Sequence, residues 1–72
     1  MWIIKSNTSA ISKLSFGVNQ RICGYEQSQI VQDAKQFSDY HLACQVLKFI
    51  KELDPYCENF EVMEAPKWLI NQ

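Results

Sequence analysis

The chain has little of what usually builds a catalytic or cofactor-binding loop. Its 72 residues include two glycines, two prolines, three cysteines and one histidine. Gly17 and Gly24 are not at the spacing of a glycine-rich loop that cradles phosphates, so nucleotide cofactors are not expected. An odd number of cysteines cannot close a disulfide framework. The shortage of glycine and proline, with 47% hydrophobic residues, excludes both low complexity and disorder. No apolar run approaches the roughly 18 residues of a membrane span. The opening Met1-Trp2-Ile3-Ile4-Lys5 lacks the basic and long apolar regions of a secretory signal. Together with the free thiols, this leads us to expect a cytoplasmic setting.

The length predicts a single small domain over residues 1–72, too short for two lobes around a deep cleft. Such a domain buries only about 60% of its unfolded surface, so its stability is marginal. With no disulfide framework to add to it, self-association into a dimer or binding to a partner is the expected supplement.

Net charge is −1, unevenly placed. Residues 1–51 carry Lys5, Lys13, Arg21, Lys35, Lys48 and Lys51 against Glu26, Asp33 and Asp39, a net +3. Residues 52–72 carry Glu52, Asp54, Glu58, Glu61 and Glu64 against Lys67, a net −4. A mildly basic body thus ends in an acidic third.

Periodicity predicts one helix over about 38–53. Ser38 reads as its N-cap, with Asp39 in the first turn favouring the positive end of the helix dipole. Leu42, Val46, Phe49, Ile50 and Leu53 repeat as one buried stripe, with Ala43 and Leu47 beside it. Pro55 stops the helix, because it disfavours helical geometry at the residue before it. Strands are predicted at Met1 to Lys5, around the alternating Leu14, Phe16 and Val18, and around Phe60 and Val62. Asn7 to Ser12 reads as a connection, and residues 27–37 as a strand entering the helix, with a short helix from Ser28 as the rival. The fold class expected is α+β: a two-layer domain in βββαβ-like order, with an antiparallel sheet of about three to five short strands on one amphipathic helix.

Three sets of residues could carry function. Cys23, His41, Cys44 and Cys57 have the Cys₃His composition of a structural zinc site, but contain no C-x-x-C pair. Free cysteines as small buried hydrophobes are the simpler reading, so no cofactor is expected. His41 and Cys44 share one helix face, yet a regular helix surface supplies neither walls nor oxyanion donors, so cysteine catalysis is not expected. Lys48, Lys51, Arg21 and Lys13 form a candidate nucleic-acid surface, opposed by the acidic third and the lone arginine.

The third set is aromatic and acidic. Trp68, Leu69 and Tyr56, with Glu58, Glu61 and Glu64, form a candidate surface for a protein partner, since tryptophan and tyrosine are common interface anchors. Trp68-Leu69-Ile70 follows a proline break and must dock on the domain's own sheet, a second copy or a partner.

Asp33-Ala34-Lys35-Gln36-Phe37-Ser38, Ala43 in the helix, and Asn59-Phe60-Glu61-Val62-Met63-Glu64 form a strand–helix–strand pattern over residues 30–64. It resembles small accessory proteins of phages and mobile elements, some of which inhibit host defence systems, as anti-CRISPR proteins do. The resemblance transfers no functional residue. The expected function is a non-enzymatic interaction module that binds a protein partner. A nucleic-acid-associated regulator and a zinc-stabilised module are the alternatives.

Overall fold

The computed structural model describes residues 1–19 and 21–70. Its elements are β1 (Trp2–Lys5), β2 (Ala10–Phe16), β3 (Ile22–Ser28), a 3₁₀ turn (Val31–Asp33), α1 (Tyr40–Leu53), β4 (Glu61–Glu64) and α2 (Lys67–Ile70). The strands form one antiparallel sheet in the order β3-β2-β1-β4, so the chain crosses the sheet through α1 and returns beside β1. This is the expected two-layer α+β architecture.

The β2–β3 ladder carries two irregularities. Ile11 faces Gln27 while Lys13 faces Glu26, which leaves Ser12 as an extra residue in β2. Ser15 faces Gly24 while Phe16 faces Ile22, which leaves Cys23 extra in β3. Each extra residue shifts the inward–outward alternation by one place. Ile11 and Leu14, and likewise Ile22 and Tyr25, therefore face the same core despite a spacing of three.

β1 and β2 pair only beside their turn, at Lys5 and Ala10. Beyond that point the segment leading to α1 lies against both strands. The Lys35 amide donates to the Ile11 carbonyl at 2.9 Å, and Trp2 and Phe37 exchange two backbone hydrogen bonds of 2.7 Å. The third strand thus ends at Ser28 rather than running through residues 27–37, and only a single bridge at Phe37 remains of the expected strand. The rival helix from Ser28 shrinks to the 3₁₀ turn, entered where the Ile30 amide donates to Ser28 Oγ. The connection expected over Asn7 to Ser12 is shorter than predicted, because β2 begins at Ala10; it also ends before Val18, which is fully exposed.

The helix begins at Tyr40. Its N-cap is Asp39, not Ser38: the Asp39 carboxylate accepts the His41 amide at 3.0 Å. Its inward residues are Ala43, Val46, Leu47 and Ile50. The buried stripe is therefore rotated from the predicted one, and Leu42, Phe49 and Leu53 are left about half exposed. Ala43 sits inward because its small side chain lets the helix backbone approach the sheet, and the larger Leu42 is turned to the flank.

Two cores flank the sheet. On the α1 side, Ile4, Ile11, Leu14, Phe37, Val46, Ile50 and Phe60 are buried together. On the other side a smaller set, Ile3, Ala10, Ala34, Ala65 and Leu69, is sealed by α2 and the 3₁₀ turn. No helix among the described residues is long and apolar enough to cross a membrane.

Candidate functional site: an apolar groove with a cationic rim

Because the apolar arc of α1 is wider than the sheet beneath it, one flank of the helix stays open. Leu42 and Phe49, seven residues apart, lie almost above one another on that flank, since seven residues are close to two helical turns. Phe16 and Ile22, brought opposite each other by the Cys23 bulge, form the facing wall at the end of the β2–β3 hairpin. Between these walls runs an open groove of about 420 Å³. Leu14, Phe37 and Val46, all nearly buried, form its floor. The walls are not covered: Phe16 is 58%, Leu42 46% and Phe49 51% exposed.

Among the described residues, the only charged side chains lining this groove are Arg21 and Lys35, both cationic. Lys35 Nζ stands 6.0 Å from the centroid of the Phe37 ring, so the ammonium is held over the groove's aromatic floor by cation–π attraction. Apolar walls and a positive rim are thus combined in one concavity.

Of the acidic residues expected to form a surface, Glu58 is engaged elsewhere. Glu58 accepts hydrogen bonds from Ser6 Oγ at 2.9 Å, from Thr8 Oγ1 at 2.8 Å and from Ser9 Oγ. Those Ser9, Thr8 and Ser6 hydroxyls hold its carboxyl below the usual carboxylate range. Asp54, which caps the C-terminus of α1, accepts the Tyr25 hydroxyl at 3.0 Å and the Tyr56 amide at 3.2 Å. Burial, and then the Asp54 carboxylate, push the Tyr25 phenol up to about 12. Glu61 and Glu64 remain exposed on edge strand β4, opposite Lys5 and Trp2 respectively.

The other candidates also separate. Leu69 is 2% exposed and belongs to the core behind the sheet, so that part of the terminal apolar run docks on its own domain, while Trp68 stays half exposed. Tyr56 is almost wholly exposed beyond the end of α1. Lys48 and Lys51 are exposed on α1, whereas Lys13, next to the inward Leu14, points to the opposite side of the sheet. Arg21 lines the groove, so the four cations form no single stripe. Among the described residues no three His, Cys, Asp or Glu side chains are placed to hold a metal ion. Cys23, His41, Cys44 and Cys57 are dispersed: Cys23 is exposed in β3, His41 and Cys44 lie on α1, and Cys57 packs on the core.

The groove is not legible in the sequence, where Leu42 and Phe49 share the periodicity of the buried stripe. The usable signal was an apolar arc on α1 too broad for a sheet of short strands. No protein-family model matches the chain, and no curated protein or solved structure matches it either.

Proposed function

We propose that the protein is a non-enzymatic interaction module that binds a protein partner through the groove between α1 and the β2–β3 hairpin. The observation that carries this reading is the open apolar concavity in which Phe16, Leu42 and Phe49 stay half exposed over a buried floor. A small domain has little apolar surface to leave uncovered, and contiguous exposed patches mark interaction sites. Aromatic side chains seated in such a depression are the kind that dominate binding energy when a partner covers them. The small size and the strand–helix–strand pattern support an accessory or inhibitory role of the phage type.

The test is comparative capture from native lysate with three immobilised proteins: the parent chain, a Leu42→Gln/Phe49→Gln variant and a Trp68→Ala variant. A protein retained by the parent and by Trp68→Ala but lost from the groove variant is the expected result. A partner retained by the groove variant and lost with Trp68→Ala would move the binding surface to α2. Equal retention by all three, or by none, would remove the groove from the function.

A further inference from the structure

Resting on the reading of the groove as a binding surface, we infer that its partner presents an acidic amphipathic segment: apolar anchors between carboxylates. The apolar half of this specificity comes from the walls, where Phe16 faces Leu42 and Phe49 across the groove. The acidic half comes from Arg21 and Lys35. Among the described residues they are the groove's only charged lining side chains, and no carboxylate lines it. Two of the molecule's carboxylates are instead bound at the other end of the helix, with Asp54 on Tyr25 and Glu58 on the hydroxyls of the β1–β2 turn. A positive rim around an apolar trough attracts a negatively flanked apolar segment and repels a basic one.

Nucleic acid would also meet cations and exposed phenylalanines here, but the groove does not suit it. Strong phosphate binding needs many cations along one track. Among the described residues this groove has two, Lys48 and Lys51 lie elsewhere on α1, and Lys13 lies on the other side of the sheet. The walls also include the aliphatic Ile22 and Leu42 in a concavity, rather than a flat stacking platform.

The experiment is selection from a displayed library of random peptides against the full chain, with four counter-screens: Leu42→Gln/Phe49→Gln, Arg21→Glu/Lys35→Glu, Arg21→Gln/Lys35→Gln and a labelled single-stranded oligonucleotide. Circular dichroism and melting confirm that each variant is folded. The neutral pair gives a second reading should the reversed pair fold poorly. The expected peptides carry Asp or Glu between large apolar residues and lose affinity with Leu42→Gln/Phe49→Gln. They weaken on the order of tenfold when the two cations are reversed, and by less when they are neutralised. Peptides that need Leu42 and Phe49 but are neutral or basic, or that ignore Arg21 and Lys35, overturn the acidic partner and leave the groove reading intact. Peptides that bind the Leu42/Phe49 variant unchanged, or no enrichment at all, overturn both. Tight oligonucleotide binding lost on reversing the cations, or a dimer of the chain that Leu42→Gln/Phe49→Gln dissolves, overturns the acidic peptide in favour of that occupant.

Discussion

Where α1 ends, polar side chains tie the helix and the loop after it to the sheet; along its Leu42–Phe49 flank, apolar side chains face the β2–β3 hairpin across an open gap. At the closed corner Tyr25 donates to the helix-capping Asp54, the Tyr25 and Phe60 rings meet edge to face with centroids 6.2 Å apart, and Glu58 anchors the β1–β2 turn. At the open flank the side chains are larger than the sheet can cover, and among the described residues the charged side chains lining it are two cations. The same helix thus spends its end on stability and leaves its flank available. Substitutions at the closed corner should lower stability, and substitutions at the flank should change binding with little effect on folding.

The largest expected effect is at Phe60, which is fully buried between the sheet and α1. Phe60→Ala removes a ring and leaves a cavity, at a cost of about 3–5 kcal/mol. In a domain of marginal stability that cost leaves a large unfolded fraction at room temperature, measurable by urea titration of the circular dichroism signal. A loss below about 1 kcal/mol would show that the corner collapses readily and is less rigid than its packing implies.

Tyr25→Phe is the next step down. It keeps the ring against Phe60 and deletes the bond to Asp54, for a loss of about 0.5–1.5 kcal/mol. The same variant has a spectroscopic signature. Because the folded state holds the Tyr25 proton up to about 12 against an ordinary value of 10.0, this contribution is complete below the ordinary value. It is lost as pH rises through the folded one. Ultraviolet titration of the parent should therefore contain a phenol that ionises at about 12, absent from Tyr25→Phe. If the titration curves superimpose apart from amplitude, neither the burial of the Tyr25 phenol nor its bond to Asp54 persists in solution.

Phe49→Gln should cost less than about 1 kcal/mol, because its side chain is already half exposed. If Phe49→Gln destabilises the domain as much as Phe60→Ala does, the flank is part of the core and the contrast between the two regions fails. If it instead leaves folding nearly unchanged and abolishes partner capture, the contrast is sharpened into a division of labour.

The contrast also explains what the sequence made legible. The helix, its stop at Pro55, strands β1, β2 and β4 and the α+β class follow from periodicity and proline geometry, and the structure has all of them. The third strand was hidden because the Cys23 bulge puts Ile22 and Tyr25 on one face at a spacing of three, which no strict alternation contains. The groove was hidden by the same limit. Periodicity finds an apolar arc but not how much of that arc a sheet covers, and the rotation toward Ala43 depends on how closely the backbones approach. The acidic surface read from Glu58, Glu61 and Glu64 assumed that carboxylates close in sequence act together. Three hydroxyls some fifty positions away in the chain take Glu58 out of that set.

Glu58 gives the smallest effect and the most specific one, because its contribution depends on pH. Its carboxyl is held below the ordinary value of 4.5 by hydroxyls of the β1–β2 turn. A depressed folded value makes the contribution complete above the ordinary one and removes it as pH falls through the folded one. Glu58→Gln keeps an acceptor oxygen but loses the charge that strengthens these bonds. The parent should therefore be slightly more stable than Glu58→Gln at neutral pH, and the difference should shrink as acid protonates Glu58. Denaturation midpoints of the two proteins, measured from neutral to strongly acidic pH, should converge. Parallel midpoint curves would mean that the turn is held by Ser6 alone, whose hydroxyl oxygen also accepts the Thr8 and Ser9 amides. Convergence would instead establish that one carboxylate locks the closed corner, and so why it is missing from the surface where the sequence placed it.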